Sequence, residues 1–129
     1  MTTTLCNNRQ KRSISDIDPL TRKALDYFVA DILKKQRGNI LKIVLFGSVA
    51  RGEENENSDI DVFLLLKKDD QVNSDFTGSA IEADRSCKYD TFTAPFTMSI
   101  KNYIGSRRIG MPIIKNIERE GIVLYVVGD

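Results

Sequence analysis

The sequence predicts a small α/β fold, a four-stranded sheet packed with helices. Two apolar runs, Ile43-Val44-Leu45-Phe46 and Val62-Phe63-Leu64-Leu65-Leu66, are short and bounded by glycine or polar residues, as buried strands are. Leu20, Ala24, Phe28 and Ile32 recur at helical spacing ahead of the first run, marking an amphipathic helix. Helical and strand-like segments then alternate along the chain, the pattern of an α/β domain.

Each element has a local cause. Residues 1–17 carry Thr, Asn and mixed charges with little to bury, so they are expected to form a flexible tail, leaving 18–129 as the domain. Asp18-Pro19 reads as an N-cap followed by proline at the first helical position. Leu25, Val29 and Leu33 widen the helix stripe, Lys34, Lys35 and Arg37 suit its negative end, and Gly38 is a stop. A strand is predicted over 40–46, then a short helix over 48–51. The acidic loop 52–58 leads to a second strand over 60–66, apolar on both faces beyond its start and therefore central.

Val72, Phe76, Ala80 and Ala83 suggest a helix over 70–86, weakened by Gly78. The β-branched and aromatic character of Lys88-Tyr89-Asp90-Thr91-Phe92-Thr93 predicts a third strand over 88–93, ended by Pro95. Residues 97–110 suit either a short helix, from Ile100, Tyr103 and Ile104, or a loop, from Gly105 and Gly110. Pro112 opens a last helix to Glu120, Gly121 caps it, and a final strand runs over 122–127.

Composition narrows the function. The 129 residues suit one domain, and 41% hydrophobic content suffices for a modest core. A net charge of +1 argues against a general nucleic-acid binder. The chain has no histidine, which excludes histidine general bases and histidine-ligated zinc. Cys6 and Cys87 lie too far apart for a metal spacing and read as free thiols of a cytoplasmic protein. No apolar run is long enough to span a membrane, and the first fifteen residues lack a signal-peptide core.

The chemistry concentrates between the first two strands. Gly47-Ser48-Val49-Ala50-Arg51-Gly52 ends one apolar run, and Ser58-Asp59-Ile60-Asp61 opens the next. Alternation along a strand puts Asp59 and Asp61 on one face, roughly 7 Å apart. Like charges at that distance repel by about 2.4 kcal/mol at an effective dielectric of about 20, so the pair asks for a cation. Oxygen ligands suit Mg²⁺ or Mn²⁺. A glycine-serine turn beside such an ion offers a triphosphate close backbone approach, N–H donors and a hydroxyl. Asp90, on a strand beside this one, would supply a third carboxylate for a two-ion clamp and take the acceptor's proton. Arg107 and Arg108 read as a solvated pair or a contact to phosphate or a partner.

These residues carry a family resemblance. Gly47-Ser48, ten intervening residues and then Asp59-Ile60-Asp61 resembles the signature of nucleotidyltransferases related to DNA polymerase β. The fuller Gly-Ser-x-Ala-Arg-Gly with Ser-Asp-Ile-Asp resembles their minimal nucleotidyltransferase (MNT) branch. Asn116-Ile117-Glu118-Arg119-Glu120-Gly121-Ile122-Val123-Leu124-Tyr125 looks like the end of that domain, so the likeness spans about 19–127. It implies the small nucleotidyltransferase fold, with a mixed four-stranded sheet. It implies that Gly47 and Ser48 contact the outer phosphates of a nucleoside triphosphate such as ATP, and that Asp59 and Asp61 hold two Mg²⁺ ions. Asp90 would complete the second metal site, and Arg51 would steady the short helix or approach the phosphates.

Larger relatives add a domain that holds the acceptor, and none is expected in the residues after Asp90. In the MNT branch the acceptor is often a separate helical HEPN-type protein, and the pair can act as toxin and antitoxin through transfer of AMP to a tyrosine. Three readings follow: an antitoxin-type enzyme that adenylylates such a partner, an enzyme acting on a small hydroxyl substrate such as an aminoglycoside, and a mainly non-catalytic subunit that covers a partner. Homo- and hetero-oligomers are both compatible with them.

Overall fold

The computed structural model describes residues 13–55, 58–68, 73–88 and 90–128. Asp18 caps the first helix, α1 (Pro19–Gln36), its carboxylate accepting from the N–H groups of Leu20 and Thr21. A 3₁₀ turn at Arg37–Asn39 leads into β1 (Ile40–Phe46), and the short helix α2 (Gly47–Arg51) follows at once. After the acidic loop come β2 (Ile60–Leu66), α3 (Asn73–Ser86), β3 (Thr93–Ser99), α4 (Ile100–Arg108), α5 (Pro112–Glu120) and β4 (Ile122–Val126). Ahead of α1, Ile14–Asp16 form a 3₁₀ turn and Ile17 is buried in the core. Residues 1–12, Cys6 among them, lie outside the described residues.

The sheet is mixed, in the order β3-β2-β1-β4. β1 pairs antiparallel with β2 and β4, while β2 pairs parallel with β3. The parallel pair requires a crossover, and α3 supplies it. β2 is central, as its apolar faces predict. Ile60, Val62, Leu64 and Leu66 face the main core with Phe28 and Ile32 of α1 and Phe76 and Ala83 of α3. Phe63 and Leu65 take the opposite face, where Tyr103 of α4 and Ile117 of α5 pack on them. Asp61 shares the parity of Phe63, so it lies on this second face.

The third strand corrects the sequence-based expectation. It runs Thr93–Ser99 rather than 88–93, and Pro95 lies within it. β3 is an edge strand, where a residue without an N–H is tolerated if that position faces away from the ladder. The ambiguous stretch is helical: Ser99 caps α4, its hydroxyl accepting from the Asn102 N–H at 3.3 Å. Among the described residues no helix is long and apolar enough to cross a membrane. Cys87 is a buried free thiol.

Candidate active site

The site is built where β1 turns. Gly47 has φ +81°, a left-handed conformation that strains any L side chain. Space makes the same demand: a Cβ at Gly47 would lie 2.2 Å from Oδ2 of Asp61. The turn throws Ser48 and Arg51 into α2, and Gly52, again left-handed at φ 76°, ends it with N–H bonds to the carbonyls of Ser48 and Val49. Val49 and Ala50 bury themselves and fix the helix to the sheet.

Asp61 is the second residue of β2 and is half-buried, while Asp59 stands exposed just ahead of the strand. Among the described residues neither carboxylate has a hydrogen-bonded or ion-paired partner. Burial, and then the charge of Asp59, push the Asp61 carboxyl above the ordinary aspartate range, partly offset by Arg51. The turn and Asp61 are thus brought together on one sheet face, with the charge of Asp59 near enough to act on Asp61.

Arg51 points elsewhere. Its guanidinium pairs with Glu53 at 3.0 Å and with Glu120, at the end of α5, at 3.4 Å, tying the short helix to α5. Asp90 does not join the pair. It lies exposed in a bend three residues ahead of β3, its N–H donating to the Cys87 carbonyl at 3.1 Å. The β3 residue in register with Asp61 is Ala94. Among the described residues no group of three or more metal-ligating side chains assembles.

A profile of the nucleotidyltransferase domain matches residues 28–123, a span that contains the turn, both carboxylates, the first three strands and the start of β4. The chain belongs to the nucleotidyltransferase family. This nucleotidyltransferase is 33% identical over 103 residues to "Putative protein adenylyltransferase MJ0604" of Methanocaldococcus jannaschii, covering 80% of this chain and 96% of the relative. It is 30% identical over 95 residues to "Putative protein adenylyltransferase MJ0141" of the same organism, covering 74% and 89%. Its fold matches the crystal structure of a putative nucleotidyltransferase from Sulfolobus solfataricus with a TM-score of 0.50, over 93% of both chains at 14% identity.

The family uses a nucleoside triphosphate and a divalent metal, and the donor set of this nucleotidyltransferase can be tested against that need. Two neighbouring carboxylates, one half-buried and neither paired among the described residues, fit a divalent cation. Among the described residues Asp90 does not stand with them, because it lies ahead of β3 rather than within it.

Sequence reasoning missed two features of this nucleotidyltransferase. Asp84 of α3 is 7% exposed. Its carboxylate accepts from the Thr91 hydroxyl at 2.9 Å, the Thr93 hydroxyl at 3.0 Å and the Thr93 N–H at 3.0 Å, pinning the start of β3 beside Asp61. Its place directly after Ala83, on a helix whose apolar stripe faces the core, was the available signal. The second is the aromatic wall on the face shared by Asp61: the Phe46, Phe63 and Phe96 rings stack edge to face or tilted, with centroids 5.8–6.5 Å apart.

Proposed function

We propose that this nucleotidyltransferase transfers AMP from ATP to a hydroxyl of a partner protein, a HEPN-type helical protein with which it would form an antitoxin-toxin pair. The observation that carries the reading is the match, across nearly their whole length, to two relatives named as protein adenylyltransferases, in a chain that keeps the Gly47-Ser48 turn and both carboxylates.

In this reading the outer phosphates of ATP rest against the Gly47 turn, where the absence of a side chain allows backbone approach. The Ser48 hydroxyl donates to a phosphate oxygen. Asp59 and Asp61 hold the cation, Mg²⁺ by the chemistry of their oxygens. When bound, that ion offsets phosphate charge around the reacting centre. The acceptor oxygen attacks the α-phosphorus and forms the new P–O bond. The bond to the β-phosphate oxygen breaks, pyrophosphate leaves, and the acceptor's proton is lost to a base or water. The partner supplies the nucleophile, most readily a tyrosine hydroxyl, and the surface that excludes water.

A second reading, a mainly non-catalytic partner-binding subunit, draws on one observation, Ala94 rather than a carboxylate beside Asp61. Incubation with α-labelled ATP, Mg²⁺ and native lysate, followed by mass spectrometry, separates the two. A protein adduct of AMP mass on a hydroxyl side chain is expected. Capture of a partner without label supports the binding subunit, and label only on RNA or a small molecule overturns both.

A further inference from the structure

We propose that this site, taken as the adenylyl-transfer site above, holds a single divalent cation with its triphosphate, and that residue 94 sets that number. The geometry begins at Asp61, whose carboxylate leans over the glycine turn: a Cβ at Gly47 would lie 2.2 Å from Oδ2. The other flank of Asp61 is β3, about 4.8 Å away at sheet spacing. Register partners in adjacent strands share a face, so the β3 side chain alongside Asp61 is that of Ala94. A methyl group ligates nothing. On β1 the partner is Phe46, which ligates nothing either.

In an in-line displacement the leaving and attacking oxygens lie on opposite sides of the phosphorus. With the outer phosphates against Gly47-Ser48, the leaving oxygen is on the turn side and the attacking oxygen comes from the β3 side. A two-ion clamp places its ions about 3.5–4 Å apart, one for each oxygen. The ion on the turn side draws on Asp59, Asp61 and phosphate oxygens. Its counterpart needs an anionic ligand from β3, and β3 offers Ala94. Asp90 is exposed in the bend before that strand, with its N–H held by Cys87. The acceptor's proton therefore passes to a group on the acceptor or to water, not to a β3 carboxylate of this chain.

Electron paramagnetic resonance of Mn²⁺ with α,β-methylene-ATP, which cannot release pyrophosphate, counts the ions without any turnover. The wild-type chain is expected to give an isolated six-line spectrum and one Mn²⁺ per bound analogue. Ala94→Asp is expected to add a second ion and a spin-coupled signal, and Asp90→Asn to leave the count at one. A coupled pair in the wild type overturns the proposal. So does loss of an ion in Asp90→Asn, or an Ala94→Asp variant that melts like wild type, binds the analogue and still holds one ion. If Ala94→Asp does not fold, the wild-type spectrum and Asp90→Asn decide. A count of one without AMP transfer to any protein sinks the adenylylation reading alone, whereas no binding of Mn²⁺ and analogue sinks both.

Discussion

Gly47 and Asp61 are fitted to one another so closely that a single methyl group on the first would occupy the carboxylate of the second, 2.2 Å from its Oδ2. The turn and the carboxylate are therefore one constraint, met by glycine at a left-handed φ of +81°. Gly47→Ala is expected to act twice. Backbone strain costs about 1–2 kcal/mol, and the displaced Asp61 weakens binding of ATP with Mg²⁺. A melting curve and a calorimetric titration read the two effects separately. Unchanged ATP affinity in a folded variant would show that the turn does not face the nucleotide.

Asp59→Asn and Asp61→Asn should each abolish AMP transfer while leaving the melting temperature at or above that of wild type. Both residues stand at the start of β2, outside the core, and among the described residues neither carboxylate makes a bond that asparagine would lose. Removing one charge also relieves the repulsion between them. Labelled transfer followed beside thermal melting tests this. Transfer near the wild-type rate in either variant would contradict the assignment.

Asp84→Ala should destabilise the fold by about 1–3 kcal/mol, the cost of leaving the buried Thr93 N–H without an acceptor. That loss lowers the melting temperature by several degrees. Asp84→Asn keeps one acceptor oxygen and should lose less. Hydrogen exchange of the Thr93 amide would accelerate in the alanine variant before exchange in β1 does. Equal acceleration across the sheet would mean that Asp84 supports the whole core rather than the start of β3.

Tyr103 packs its ring on Phe63, with centroids 5.8 Å apart, and donates its hydroxyl hydrogen bond to Glu118, which also pairs with Arg107 at 3.0 Å. Burial, and then Glu118, push its phenol up to about 12. An unfolded tyrosine titrates near 10. The folded state therefore holds this proton more tightly than the unfolded one. The stability it contributes is complete below about pH 10 and is lost as pH rises toward 12. Ultraviolet titration should show a late phenol that disappears in Tyr103→Phe, and Glu118→Gln should bring it earlier. A Tyr103 that ionises near 10 would refute the contact.

The sequence was most legible where backbone chemistry is unambiguous. Asp18-Pro19 can hardly be anything but a helix start, and β1 and β2 are apolar runs cut by Gly47 and by charge, so their bounds match the expected 40–46 and 60–66. The third strand is less legible, because Lys88–Thr93 has the residue types of a strand, whereas the strand itself contains Pro95. Only its place at the sheet edge makes that proline acceptable, and an edge is a tertiary fact. The same residue types suggest a place for Asp90 on that strand, and it lies ahead of it. In the Thr93–Ser99 register the residue beside Asp61 is Ala94, and no local pattern announces that pairing.

The parallel join of β2 to β3 also divides the molecule's labour along the chain. The turn and both carboxylates come from one contiguous stretch, Ile40–Leu66, while the flank beyond Asp61 is made by Thr93–Arg108, after a crossover helix. These two inheritances can vary independently. Chimeras that exchange only the part of the second stretch beyond β3, Ile100–Arg108, between relatives would keep one grip on the nucleotide and change what approaches it, and drift confined there would retarget the protein without rebuilding its chemistry.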